Sequence, residues 1–261
     1  MGVYGFDTAS YLNSNVSGTS TPILQSAKST FNSATNLAQF VLRYVSPSPN
    51  GTIDQSSSNA INEINAMIAA SINYIAPVTS PSQGRIGTGG STGTAYGDDD
   101  ATTTGNALKN LYNWVPALLF PTNGIMHVYL DIEKSTIPTS AYTNAWALTL
   151  DGFFIGSNSP TNYPLYPCAY VNPLAGTGVC GVLSSYFGVW SNNPEPCSWC
   201  AVKFGPTWGP NNCSGLTTLM WQYGEHNACA AASPGCSAGW PANVDIDMIA
   251  SSSELSQMMF V

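Results

Sequence analysis

The sequence predicts an α/β fold, a TIM-like barrel of about eight strands and five helices whose last strands are joined by loops without helices. Three observations carry this reading. The chain has 261 residues, a length that α/β barrels commonly use as one unit. Short apolar or alternating segments recur along it, and the first five are each followed by a helix-compatible stretch. After the sixth, the connections are rich in Gly, Pro, Asn and Cys and show no helical period. No internal repeat and no linker divides the chain, so residues 1–261 are expected to form a single barrel domain, with cysteine-rich loops in 168–240.

Val3-Tyr4-Gly5-Phe6-Asp7 reads as the first strand, followed by a weakly amphipathic stretch from about Pro22 to Asn36. Phe40 to Val45 is the second, stopped by Pro47, Pro49 and Gly51. From Ser58 to Ala70, the residues Ile61, Ile64, Met67 and Ile68 make an apolar stripe at helical spacing. Ile72 to Val78 is the third strand. A Gly/Thr/Ser stretch from Gly84 to Gly97 is expected to be a mobile loop. Asp98, Asp99 and Asp100 then sit where acids favour a helix N-terminus, and that helix runs to about Val115. A calcium site is the less common use of such a run.

The fourth strand carries His127-Val128-Tyr129-Leu130-Asp131-Ile132-Glu133. A helix from Ala141 to about Phe154 follows, then Leu165 to Val171 as strand five. Val182 to Val189 is read as a short helix, and Ser198 to Phe204 as strand six. Leu219 to Tyr223 and Val244 to Ile249 complete the eight.

The fourth strand is the most informative stretch. Its alternation puts His127, Tyr129, Asp131 and Glu133 on one face and Val128, Leu130 and Ile132 on the other. Carboxylates two residues apart on a strand are roughly 6–7 Å apart on a shared face. Inside a cleft, burial and mutual repulsion push their pKa values apart, so that one holds a proton while the other stays charged. Cleavage of a glycosidic bond asks this of a carboxylate pair. Two solvated acids at a strand end are the plainer alternative.

Catalytic groups of such barrels sit at the C-terminal ends of the strands. Reading the ends gives Asp7, Tyr44, Asp131 with Glu133, Tyr170 with Asn172, Trp221-Gln222-Tyr223, and Asp245 with Asp247. Aromatic platforms beside carboxylates suit a sugar, whose C–H faces pack on rings while its hydroxyls form hydrogen bonds. No metal triad, phosphate loop or dinucleotide fingerprint competes, so no cofactor is expected. The two histidines read more plainly: His127 lies about 20 Å back along its strand from Glu133, and His226 is in a loop.

Composition narrows the partners. Apolar residues make up 44% of the chain, enough for a sizeable core, whereas charged residues are only 8%. Six Lys and Arg against fourteen Asp and Glu give a net charge of −8, and so few cations cannot build a patch for nucleic acid or an anionic bilayer. No apolar run approaches the ~20 residues needed to span a membrane. All seven cysteines fall between Cys168 and Cys236. In a low-charge chain rich in Ser and Thr they favour disulfides and an oxidising compartment. Zinc is the competitor, because Cys197-Ser198-Trp199-Cys200 is a Cys-x-x-Cys, but no second pair stands at ligand spacing. The odd count leaves at least one thiol free or paired outside the chain. Met1-Gly2-Val3 runs straight into the first strand, so a secreted chain is expected to have lost its leader.

The order Gly5-Phe6-Asp7, Asp131-Ile132-Glu133, Trp221-Gln222-Tyr223 and Val244-Asp245 resembles glycoside hydrolase family 25, the Chalaropsis-type lysozymes. Phe40 to Tyr44 and the acidic start of the third helix look closer to a related glycoside-hydrolase-like domain of unknown function found in secreted bacterial proteins. The resemblance runs from Gly5 to about Ile249. It implies a barrel of five helices and eight strands that cleaves the β-1,4 bond between N-acetylmuramic acid and N-acetylglucosamine in peptidoglycan. On that likeness Glu133 would be the general acid. Asp131 would steer or polarise the acetamido group of the substrate, and Asp7 and Asp245 would line the cleft and raise the pKa of Glu133. Tyr44, Tyr129, Tyr170, Asn172, Trp221, Gln222, Tyr223 and Asp247 would contact the sugar, although Asp247 has no clear family counterpart. The Gly84–Gly97 segment and the cysteine-rich loops exceed the usual family length and would rim the cleft. The expectation is a secreted, monomeric glycan hydrolase. A non-catalytic glycan-binding surface protein is the alternative, and a purely structural or toxin-like barrel is a third possibility.

Overall fold

Eight strands hydrogen-bond in a closed circuit, and the order of that circuit decides which side chains meet. The computed structural model describes residues 3–8, 10–12, 23–24, 38–49, 51–121, 124–133, 135–155, 163–192, 207–224 and 245–261. The first elements are β1 (Val3–Thr8), β2 (Ala38–Val45), α1 (Ser57–Ala70), β3 (Tyr74–Thr79), α2 (Gln83–Ile86), α3 (Gly90–Trp114) and β4 (Met126–Asp131). They are followed by α4 (Ser140–Asp151), β5 (Phe154–Ile155), β6 (Tyr163–Val171), β7 (Gly188–Asn192), β8 (Thr217–Gly224), β9 (Asp245–Ile249) and β10 (Met259–Phe260). The circuit runs β1-β2-β3-β4-β6-β7-β8-β9 and returns to β1. Every neighbouring pair is parallel except those made by β9, which runs against both β8 and β1. The protein is thus a mixed, closed α/β barrel with helices outside it, as its sequence predicts.

Strand alternation divides the apolar residues into two cores. Phe40, Leu42, Val78, Tyr129, Trp190 and Met220 fill the barrel interior, and Leu255 and Met258 close its lower end. Val41, Ile64, Met67, Leu108, Trp146 and Trp221 lie in the larger cluster between barrel and helices. Each such side chain contributes about 1.5–3 kcal/mol on full burial.

The outer layer holds a buried ion pair. Arg43 and Glu63 are both 0% exposed, and the guanidinium binds both carboxylate oxygens, at 2.8 and 3.0 Å. Its remaining donors reach the carbonyls of Thr8 (2.9 Å) and Gly51 (3.1 Å), which ties α1 to the end of β1 just past Asp7. This pair reshapes α1 from the predicted stripe. Ala60, Glu63, Ile64 and Met67 are its buried face, while Ile61 and Ile68 are exposed.

Three further expectations are corrected. The Gly84–Gly97 stretch is helix rather than mobile loop, divided between α2 and the start of α3. Two of its glycines serve close packing: a Cβ on Gly97 would press on Tyr142 O and lie 2.9 Å from Trp146 N, and one on Gly93 would strike Thr88 O. Asp98, Asp99 and Asp100 therefore lie inside α3, not at its N-terminus. Asp99 and Asp100 pair with Arg85 at 2.6 and 3.1 Å, and Asp100 also accepts from the Tyr142 hydroxyl at 2.7 Å. Finally, Val182–Val189 is not a helix. A 3-10 turn covers Val179–Val182, and Gly188 begins β7, the sixth strand of the barrel. The segments 198–204 and 25–36 lie outside the described residues.

Cys180 and Cys213 form a disulfide, while Cys168 is a buried free thiol inside the barrel. The other cysteines and His226 lie outside the described residues.

Candidate active site

Because β9 runs antiparallel, its N-terminal end lies beside the C-terminal ends of the other strands. Asp245 and Asp247 therefore reach the same rim as Asp7 and Asp131. Asp7 stands directly across from Asp245 in the β1–β9 register, and Asp247 is paired with Gln222 of β8. Interior-facing positions at this end bring together Asp7, Tyr44, Asp131, Tyr170, Gln222, Asp245 and Asp247.

Gln222 organises one wall. Its amide nitrogen donates to Asp7 Oδ2 at 2.8 Å and to Asp245 Oδ2 at 3.3 Å, and its oxygen accepts from the Tyr170 hydroxyl at 2.7 Å. The Asn192 amide donates to the same Tyr170 oxygen. Beneath them the Trp190 indole N–H donates to Asp247 Oδ1 at 2.9 Å, with its ring 4.2 Å from that of Tyr170. On the opposite wall the Tyr44 hydroxyl donates to Asp131 Oδ2 at 3.3 Å.

Burial separates the acids by charge. Asp131 is 2% exposed, and its carboxyl is pushed up from 3.8 to about 7. Burial is the main cause, and the neighbouring Glu133 charge adds to it, while Ser80 and Tyr44 oppose it by hydrogen bonding. Burial, then Asp131 and the other acids, hold the Tyr44 hydroxyl well above the usual phenol range, so it remains a donor. Asp247 is fully buried and is raised well above the carboxylate range by burial, then by Asp7 and Asp245. Hydrogen bonding to Asp7 raises it further, and the Trp190 contact opposes the shift. Glu133, two residues beyond the end of β4, is exposed. The Asp131/Glu133 pair thus has one buried member and one at the mouth.

Several expected contacts fall elsewhere. Trp221 and Tyr223 alternate with Gln222 and face outward, where Trp221 is 0% exposed and packs on Trp208 and Tyr223. They do not form cleft walls, because only every second residue of β8 faces the barrel interior. Tyr129 shares the face of Asp131 but lies below it, 1% exposed and edge-on to Trp190. Asn172 stands beyond β6, where its side chain accepts from Leu174 N at 3.0 Å. His127 sits at the far end of β4, stacked on Tyr166 and 3.5 Å from Glu254. The expected list also omits Gln83, Trp190 and Asn192. Trp190 and Asn192 alternate with Val189 and Ser191 on β7, a strand pattern obscured by reading the preceding residues as helix. Among the described residues, no three His, Cys, Asp or Glu side chains are disposed to hold a metal ion.

No family model and no curated relative matches the chain. An uncharacterized protein from B. stearothermophilus shares its fold, with a TM-score of 0.61 and 18% identity, covering 98% of this chain and 100% of that one. The spore cortex lytic enzyme SleM of Clostridium perfringens matches with a TM-score of 0.49 and 9% identity over 97% of this chain and 69% of its own. The Streptococcus pneumoniae virulence factor GHIP, described as a glycosyl hydrolase 25, matches with a TM-score of 0.45 and 12% identity, covering 98% and 89%. At these identities the first likeness is one of fold, and the two glycosidases stand as distant neighbours.

Proposed function

We propose that this protein is a secreted glycan hydrolase that cleaves β-1,4 bonds in peptidoglycan or a related N-acetylated polysaccharide, acting as a monomer. The observation that carries the reading is the divided pair on β4, with Asp131 buried against Tyr44 and Glu133 exposed two residues further on. Glu133 would donate its proton to the leaving glycosidic oxygen as the C1–O bond breaks. The acetamido carbonyl oxygen of the sugar would attack C1, so that no enzyme nucleophile is needed. Asp131 would accept the acetamido N–H, whose acidity rises as positive charge develops on that group. The pair would react with its one proton on Glu133 and with Asp131 ionised, the accepting form of a carboxyl that titrates at about 7. Asp7, Asp245 and Gln222 would bind hydroxyls on the adjoining wall, with Tyr170 supplying a ring face. The Cys180–Cys213 disulfide supports an oxidising, extracellular setting.

Release of reducing sugars from peptidoglycan and from chitin-type oligosaccharides tests this, for wild type and for Glu133→Gln. General acid catalysis contributes roughly 10²–10⁴-fold, so the variant should lose activity on that scale. Wild-type protein that binds these glycans without turning them over would instead establish a non-catalytic glycan-binding protein.

A further inference from the structure

The β3–β4 ladder ends early. Its last pairs are Val78 with Tyr129 and Thr79 with Leu130, and Pro81, having no N–H, cannot prolong it. Past that point Ile132 still pairs on its other side, donating to Tyr170 O of β6 at 3.0 Å. On the vacated side the next two backbone groups are the carbonyl of Asp131 and the N–H of Glu133. Both are taken by one side chain. Gln83 Nε2 donates to Asp131 O at 3.1 Å, and Gln83 Oε1 accepts from Glu133 N at 3.0 Å.

In a parallel ladder one residue pairs, through its own N–H and C=O, with the carbonyl and the N–H that flank a residue of the adjacent strand. The Gln83 amide reproduces that pairing around Ile132. Two more bonds close the arrangement: Thr136 Oγ1 donates to Gln83 Oε1 at 2.6 Å, and Thr136 N donates to Glu133 O at 2.9 Å. Glu133 therefore has its backbone N–H and C=O both fixed although its residue is exposed. Without Gln83 those groups would turn to water, and the segment past Asp131 would lose its extended course.

We infer that Gln83 is a positioning residue, whose side-chain amide stands in for the missing residue of β3 and holds Glu133 on the cleft face of β4 beside Asp131. Its effect on catalysis rests on the hydrolase reading above, and its effect on the backbone does not.

Gln83→Met keeps length and shape but removes the bonds to Asp131 O and Glu133 N together with the one from Thr136. The expected result is a kcat lower by roughly 10–100-fold with KM within about threefold, because misplacing a reacting group by ~1 Å costs up to about 10²-fold. Gln83→Glu gives a sharper test. A neutral carboxyl still offers one donor and one acceptor, whereas a carboxylate has no donor for Asp131 O. Its kcat relative to wild type should be near unity below about pH 4 and fall as the introduced group ionises. A role in stability alone would give no such limb. Amide hydrogen exchange supplies a readout without activity: in Gln83→Met the Glu133 N–H should exchange at least about tenfold faster, with the Ile132 N–H unchanged. Should Gln83→Met fail to fold, Thr136→Val, which removes only the outer bond, should still lower kcat and speed Glu133 exchange to a smaller degree. Unchanged kcat in Gln83→Met, or unchanged Glu133 exchange in the folded variants, overturns the inference. Wild-type protein without turnover overturns the hydrolase reading alone, and the exchange rates then decide the role of Gln83.

Discussion

Replacing Asp131 with Asn removes a charge that the fold buries at a cost. In the unfolded chain this carboxyl titrates near 3.8, and in the barrel at about 7. The folded state holds the proton more tightly, so the stability associated with it is fully present below about pH 4 and is lost as pH rises to about 7. At about 1.4 kcal/mol per pH unit across that window, the charged form costs about 4 kcal/mol above neutrality. Asn cannot ionise, and the exchange of Oδ1 for an amide nitrogen adds an offset that does not vary with pH. The difference in unfolding free energy between Asp131→Asn and wild type should therefore grow in favour of the variant from about pH 4 to about pH 7 and then level off. Urea unfolding of both proteins across that range reads it directly, since the remaining groups titrate in both. A difference flat to within about 0.5 kcal/mol would mean that Asp131 is not a buried, proton-holding carboxyl, and the separation of roles within the pair would fall with it.

Other consequences follow from particular contacts. Glu63→Gln leaves the Arg43 guanidinium buried without its counter-charge, and should cost about 3–5 kcal/mol by urea unfolding at neutral pH. Gly97→Ala would stabilise an isolated helix by up to about 1 kcal/mol. Here it presses on Tyr142 and Trp146 of α4, so thermal unfolding should instead show a loss of about 1–3 kcal/mol. Replacing Cys180 and Cys213 together with Ala opens a loop of 33 residues and should cost about 3–4 kcal/mol on the chain-entropy account, with little change in glycan turnover. Asp247→Asn keeps a neutral donor for Asp7 and should fold as well as wild type at neutral pH, whereas Asp247→Ala abandons the Trp190 N–H and should lower the melting temperature.

The strand signals were local and therefore legible. Period-two alternation in Val3–Asp7, His127–Glu133 and Leu219–Tyr223 located β1, β4 and β8, and seven of the eight segments read as strands coincide with barrel strands, the eighth, 198–204, lying outside the described residues. The same alternation placed Asp131 and Glu133 on one face before any neighbour was known. It misled where composition imitated another state. Gly84–Gly97 has the small, polar residues of a loop, yet it is largely helical, with Gly93 giving room to the Thr88 backbone and Gly97 letting α3 lie directly on α4. The short apolar run at Val182–Val189 carried no period that could separate helix from strand, so β7 and its Trp190 and Asn192 went unread.

What the sequence determined by itself is the class of fold and the set of acids, because alternation and residue type are properties of neighbouring positions along the chain. Tertiary structure alone decided how those acids pair and how they are charged. The reversal of β9 sets Asp245 opposite Asp7, and Gln222 faces inward while Trp221 and Tyr223 face out. Gln83 reaches across 48 positions to the carbonyl of Asp131. Those relations depend on strand order, on register and on the low polarity of a closed barrel, and each is set by contacts between residues far apart in the chain.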